Sequence, residues 1–146
     1  MLNDNLPTDA QILPFYLADG SDDIALIRGR MASVRRAAST ILARHAYPEI
    51  VAILQAEVLA LAACLSSTLK FDGVFTLQAK GDGPVRTLFA DITNTGALRG
   101  YSAFDDNRSA LQAAALAHDP TAPVRLGHVM GDGYMAFTVD DGSTNG

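Results

Sequence analysis

A long apolar stretch from Ile50 to Leu69 limits the folds that this chain can adopt. Its large apolar residues recur at helical spacing and alanines fill most other positions, so it predicts one helix that is apolar nearly all round. Gln55 and Glu57 interrupt its apolar runs, which fall short of the ~20 residues of a membrane span. We therefore expect a buried central helix, with Pro48 in its first turn. Its main stripe is Ile50, Val51, Leu54, Val58, Leu61, Leu65 and Leu69.

The apolar pattern changes to period two after this helix. From Phe71 onward apolar and polar residues alternate, and turn-forming residues at 80–84 and 93–96 divide the segment into three strands. Short loops favour antiparallel pairing of consecutive strands. The segment from Phe71 to Phe104 therefore predicts an antiparallel meander.

The residues before the long helix predict a hairpin and a shorter helix. Segments 12–18 and 24–31 read as extended strands with turn-rich residues between them, and Pro14 indicates an edge position. Ser33 is a candidate N-cap for a helix that runs to about His45. One side of the first strand carries Leu13, Phe15 and Leu17.

The last third of the sequence predicts one more helix and one more strand. Asp105, Asp106 or Asn107 can cap a helix that stops before Pro120, and a loop is expected over 121–126. Residues 134–139 then alternate as a strand, and a turn follows at 140–143, where a partner strand would be expected. One face of this strand carries Met135, Phe137 and Val139.

Runs of strands and runs of helices, without regular alternation, predict an α+β fold. We expect a two-layer core domain in which helices pack on one face of an antiparallel sheet. The 146 residues suit a single domain that buries roughly 70% of its unfolded surface.

Charge and cysteine content exclude several classes of function. The net charge is −5, which disfavours nucleic acid as a partner. A single cysteine and an acidic, polar N-terminus are untypical of a small secreted protein with a signal peptide. We expect a cytoplasmic protein without a membrane partner.

No histidine pattern predicts a metal site. His45, His118 and His128 lie far apart and lack the i, i+3 or i, i+4 spacing that presents two imidazoles to one ion. His45 is expected to interact with the dipole at a helix C-terminus.

The remaining candidates for chemistry also favour structural roles. Cys64 lies among alanines on the apolar helix and is expected to be a small buried residue, and Ser66 and Ser67 lie within the same helix rather than on a nucleophile turn. The Gly-Asp-Gly motifs at 81–83 and 131–133 lack the third glycine of a dinucleotide fingerprint and are expected to be hairpin turns. We therefore predict no catalytic, cofactor-binding or metal-binding residue.

One charge asymmetry leaves an alternative open. Five arginines and no acidic residue lie between positions 28 and 44, namely Arg28, Arg30, Arg35, Arg36 and Arg44. Arginines without interleaved aromatic residues usually form a solvated face. The alternative is an anion- or RNA-binding surface, whose binding affinity would fall steeply with increasing salt. From the residues alone the chain is a binding or assembly module.

Several local strings resemble the N-terminal core domain of the heat-shock protein 33 family of redox-regulated holdase chaperones. Their order and spacing also fit, and the resemblance covers nearly the whole chain. The matching strings are Phe15, 27–30, 41–48, 69–73 with Phe75, Leu77 and Gln78, 81–85, 98–100, Phe104-Asp105, 131–133 and 136–140.

The resemblance implies a cytosolic, ATP-independent holdase that binds unfolding client proteins under oxidative and heat stress, forms a homodimer and catalyses no reaction. In the family, a C-terminal domain binds zinc through Cys-x-Cys and Cys-x-x-Cys motifs and releases it on oxidation. Cys64 is the only cysteine here and matches none of these ligands. We expect residues 1–146 to be an incomplete chaperone core domain, with zinc binding and disulfide switching confined to the longer parent protein.

The sequence does not identify residues that contact clients, because both faces of the strand at 85–92 mix polar and apolar side chains. The alternative function is a dimerisation or scaffold module without chaperone activity, which would pair through the sheet edge after Val139.

Overall fold

The computed structural model describes residues 11–20, 26–117, 121 and 126–142. It confirms an α+β fold with two antiparallel sheets. In chain order the elements are β1 (Gln11–Leu17), β2 (Ile27–Ser33), α1 (Arg35–Ala43), α2 (Glu49–Ser66), β3 (Val74–Gly81), β4 (Val85–Thr93), β5 (Leu98–Phe104), α3 (Arg108–Leu116), α4 (Leu126–Met130) and β6 (Gly133–Asp140).

The main sheet has four strands in the order β5-β4-β3-β6. The predicted meander forms β3, β4 and β5, and β6 pairs antiparallel with the other side of β3. The chain after residue 104 therefore returns to the sheet as β6, so that β3 has a paired strand on each side. β1 and β2 form the predicted hairpin as a separate two-stranded sheet.

A single apolar core joins the helices to one face of the main sheet. α2 packs mainly on β4 and β5, and Leu59 and Ala62 of this helix are fully buried together with Leu77 and Leu88 of the sheet. Ile53 on the outer side of α2 remains 43% exposed, so the central helix is less enclosed than its composition suggests.

The helix boundaries differ from the prediction for local reasons. Ser33 is the last residue of β2 rather than a helix cap, and Val34 occupies the N-cap of α1 without a side-chain hydrogen bond. α2 ends at Ser66 instead of Leu69. The hydroxyls of Ser66, Ser67 and Thr68 each donate to the carbonyl three residues earlier, a local bond that competes with helix continuation.

The third helix begins as predicted. The Asn107 side chain accepts hydrogen bonds from the main-chain nitrogens of Ser109 and Ala110, at 3.1 and 3.4 Å. The loop expected over 121–126 is described only at its ends, and Leu126 starts the short helix α4, which the sequence did not predict. Val129 and Met130 of α4 are buried in the core, so tertiary packing forms this helix.

Candidate functional site

One face of the β1–β2 hairpin is apolar and exposed. In the antiparallel register Leu13 pairs with Met31 and Leu17 with Ile27, so their side chains share one face with Phe15. Gly29, opposite Phe15, leaves room for its ring, because a Cβ there would collide with the ring atoms. We call this surface the hairpin face; its exposed fractions are Leu13 65%, Phe15 40%, Leu17 53%, Ile27 55% and Met31 64%.

The opposite side of the hairpin attaches it to the domain. Ile12 and Ala32 are half-buried and pack against the core, and β2 lies beside α2. The Cys64 thiol lies 3.8 Å from the Arg30 carbonyl oxygen at this contact. The core therefore supports the hairpin from one side while the hairpin face points outward.

A second exposed apolar surface lies on β6. Phe137 pairs with Leu77 and Val139 with Phe75, so the β6 side chains share the face that β3 turns towards the core. The rings of Phe75 and Phe137 stack, with centroids 6.2 Å apart. We call Met135, Phe137 and Val139 the β6 face; they remain 39%, 52% and 46% exposed.

The two edges of the main sheet are not equivalent. At β5 the Tyr47 hydroxyl accepts a hydrogen bond from the main-chain nitrogen of Ser102 at 3.0 Å. The Tyr47 ring stacks on His45, with centroids 4.8 Å apart, and meets Phe104 edge to face. The loop between α1 and α2 thus covers part of the β5 edge, whereas β6 forms the other edge of the sheet.

The two Gly-Asp-Gly motifs dock on each other. Residues 81–83 form the predicted hairpin turn between β3 and β4, but 131–133 connect α4 to β6, so the second prediction of a hairpin turn is wrong. The main-chain nitrogen of Asp132 donates to the Asp82 carboxylate at 2.9 Å, and that of Gly83 donates to the Met130 carbonyl at 2.7 Å. Both motifs are therefore structural.

The structure brings neither of the two described histidines, His45 and His128, into a metal-binding group with Cys64. The His45 ring stacks on Tyr47, after α1 has ended at Ala43, and His128 is exposed in the last turn of α4. His118 lies outside the described residues. Cys64 is half-buried rather than fully buried. Within the described residues, no group of three or more His, Cys, Asp or Glu side chains could hold a metal ion.

The arginines from Arg28 to Arg44 form no ion pair with any described residue. Arg28 lies over the Tyr16 ring, 5.9 Å from its centroid. All five arginines of this segment are exposed to solvent, as expected for a solvated face.

Neither apolar face is predicted as a candidate site by the sequence. The alternation of Leu13, Phe15 and Leu17 was visible, as was that of Met135, Phe137 and Val139. The alternation shows only that each set shares a face. Whether another element covers that face depends on the packing of distant segments.

Comparison with known proteins shows the family to which this chain is similar. The family model described as Hsp33 protein matches residues 11–146. A 33 kDa chaperonin of Caulobacter vibrioides (strain NA1000 / CB15N) is 41% identical over 116 residues, which is 80% of this chain and 37% of that protein. A 33 kDa chaperonin of Pseudomonas fluorescens (strain Pf-5) is 36% identical over 138 residues, 94% of this chain and 40% of that protein.

The chain therefore spans well under half the length of these relatives. The match nevertheless covers almost every residue of the chain itself and confirms the resemblance that the local strings indicate. The chain belongs to the Hsp33 protein family.

Proposed function

We propose that this chain is the core of an ATP-independent holdase chaperone, which binds unfolding or oxidatively damaged proteins and prevents their aggregation. The observation that carries the proposal is the hairpin face, which exposes five large apolar side chains on one side of a two-stranded sheet. Unfolded clients expose apolar surface, and burying it gains roughly 25 cal/mol per Å². The relatives' name, 33 kDa chaperonin, supports the same function.

The hairpin face suits clients of unrelated sequence. Its side chains are leucine, isoleucine, phenylalanine and methionine, and the flexible, polarizable Met31 side chain adapts to differently shaped apolar partners. The net charge of −5 helps to keep a chaperone–client complex soluble. Client binding therefore needs neither a deep pocket nor a specific polar contact.

Redox control belongs, in this proposal, to the longer parent protein. The zinc switch of the family needs four cysteines, whereas the chain has only Cys64. We propose that residues 1–146 need no cofactor, catalyse no reaction and hold clients equally well in reductant and oxidant.

We also propose a cytoplasmic location without a nucleic-acid or membrane partner. α2 is long and apolar enough to cross a membrane, with a mean hydropathy of 1.8, but half of it is buried inside the domain. Its packing against the sheet supports a core helix.

The test measures light scattering from a chemically unfolded client diluted into buffer with the chain. The double variant Leu13→Ser/Met31→Ser removes apolar area from the hairpin face. The control Ile53→Ser/Leu61→Ser removes a smaller exposed apolar area from α2, where the two side chains are 43% and 38% exposed. Each buried large apolar side chain contributes about 1.5–3 kcal/mol, so the hairpin variant should need at least tenfold more protein for equal suppression.

The control variant should suppress aggregation as well as the unaltered chain does. Equal loss in both double variants would refute the assignment to the hairpin face. Failure of the unaltered chain to suppress scattering in either redox condition would favour the scaffold alternative, since β6 is an edge strand of the main sheet among the described residues.

A further inference from the structure

The hairpin face has two aliphatic ends and an aromatic centre. Each end is a cross-strand pair of aliphatic side chains, and the pair between them is Phe15 with Gly29. Side chains in a strand stand roughly perpendicular to the sheet. The end pairs are therefore two walls, about 13 Å apart along the strands, on either side of Phe15. The end pairs are Leu13 with Met31 and Leu17 with Ile27.

The Phe15 ring lies flat across β2. A Cβ built on Gly29 would lie 2.6 Å from Cε1 and 2.8 Å from Cε2 of the ring, and closest to Cζ. A point that approached Cζ to the same distance in the plane of the ring would be farther from both Cε atoms. The Gly29 Cα therefore lies under the face of the ring, a close approach that glycine in a strand permits.

The opposite face of the ring is open to solvent. Phe15 is 40% exposed, although one of its faces lies on Gly29. The hairpin contacts the core through Ile12 and Ala32, whose side chains belong to the reverse side of the two-stranded sheet. The exposed face of the ring thus points away from the domain. We call this space the Phe15 groove: its floor is the ring, and its walls are the two aliphatic pairs.

The chemistry of the Phe15 groove favours an aromatic occupant. The face of an aromatic ring is electrically negative and its edge is positive, so a second ring binds edge to face or offset and gains more than the buried area alone. A cation is also attracted to a ring face. The hairpin face offers no carboxylate to balance its charge, whereas an aromatic ring also buries apolar area against both walls.

We propose that the Phe15 groove binds an aromatic side chain of an unfolding client, stacked on the Phe15 ring, and that Gly29 is the positioning residue that lets this ring lie flat. The inference rests on the proposed function and names the class of client segment that the hairpin face prefers. Aromatic side chains are major contributors to protein cores, so unfolding exposes them in clients of unrelated sequence.

The test uses three peptides that are identical except for a central tryptophan, leucine or arginine. Because the chain contains no tryptophan, indole fluorescence reports binding of the first peptide, and the other two are measured by competition. A stacked aromatic pair adds about a two- to tenfold gain in affinity beyond buried area. The unaltered chain should therefore bind the tryptophan peptide at least threefold more tightly than the leucine peptide.

Gly29→Ala separates stacking from apolar area. The new methyl group removes no apolar surface, and Gly29 is not among the glycines with positive φ, so alanine fits the strand but displaces the ring. The preference for tryptophan over leucine should fall at least twofold, as it should in Phe15→Leu. Phe15→Tyr keeps the ring and should keep the preference. Gly127→Ala is the matched control, because a Cβ there meets no described atom within 4 Å.

A second measurement locates the ring without depending on affinity. Protons that lie over the face of an aromatic ring resonate upfield in nuclear magnetic resonance spectra. The Gly29 α-protons should show this shift, and Phe15→Leu should abolish it. Addition of the tryptophan peptide should move the Phe15 ring signals more than addition of the leucine peptide does. Gly29 α-proton shifts that are unchanged in Phe15→Leu would overturn the stacked geometry.

The outcomes separate this inference from the proposed function. An equal preference in the unaltered chain and in Gly29→Ala overturns the inference, and so does tighter binding of the arginine peptide or no binding of any peptide. If the unaltered chain still suppresses aggregation and Leu13→Ser/Met31→Ser does not, the hairpin face binds clients through apolar area alone and the proposed function stands. Failure of the unaltered chain to suppress aggregation refutes the proposed function as well.

Discussion

Gln55 is a fully buried polar residue on the otherwise apolar helix α2, and it connects this helix to two strands. Its amide nitrogen donates to the Phe89 carbonyl at 2.9 Å, and its amide oxygen accepts from the buried hydroxyl of Ser102. Gly100 makes the approach possible, since a Cβ there would collide with the Gln55 amide. Every buried side-chain nitrogen or oxygen in the described part of the chain has a hydrogen-bond partner.

Gln55→Leu keeps most of the volume and removes both hydrogen bonds. Each lost bond costs about 0.5–1.5 kcal/mol, and leaving the Ser102 hydroxyl buried without an acceptor adds about 1–3 kcal/mol. The apolar side chain offsets part of this loss, so we expect the free energy of unfolding to fall by about 2–4 kcal/mol. Adding Ser102→Ala removes the unsatisfied hydroxyl, and the double variant should be more stable than the sum of the two single changes by about 1–3 kcal/mol.

The assay is urea unfolding followed by far-UV circular dichroism, since the chain has no tryptophan. Glu57→Leu on the exposed side of α2 is the control and should change the free energy of unfolding by less than about 0.5 kcal/mol. A loss below about 0.5 kcal/mol for Gln55→Leu, or strictly additive effects in the double variant, would show that the reasoning is wrong.

Three further changes test other contacts by the same unfolding measurement. Gly133→Ala adds a Cβ that collides with a main-chain oxygen of β3, and it should destabilise the fold by more than about 2 kcal/mol. Tyr47→Phe keeps the ring but deprives the Ser102 main-chain nitrogen of its acceptor, at a cost of about 1–2 kcal/mol. Arg99→Ala removes the ion pair to the buried Asp91, 2.6 Å long, and should cost about 1 kcal/mol because Arg99 itself is largely exposed. A neutral result in any of the three would contradict the corresponding contact.

The sequence predicted the central helix and the meander because each signal is local. Apolar residues at helical spacing specify α2, and the Gly-rich and Asn-rich turns end β3 and β4 within two residues of the expected positions. Asn107 caps α3 because a side-chain oxygen at that position can reach the first free main-chain nitrogens. Ser33 has the same chemistry, but pairing with Gln11 keeps it in β2.

Features that depend on distant contacts could not be predicted in this way. α4 is too short for a periodic pattern, and burial of Val129 and Met130 against the sheet decides its formation. The second Gly-Asp-Gly motif has the composition of a hairpin turn, yet contacts with Asp82 and Gly83 give it another role. Exposure of the hairpin face and the β6 face also depends on where α2 packs.

The two apolar faces differ in their surroundings. The hairpin face lies on a two-stranded sheet that contains Pro14, which cannot donate a main-chain hydrogen bond. The β6 face lies on the main sheet, where the Phe137 ring stacks on the buried Phe75. Since client binding is proposed for the hairpin face, Leu13→Ser/Met31→Ser should lose suppression of aggregation and Phe137→Asp should keep it. Equal loss in both variants would show that clients also bind the β6 face.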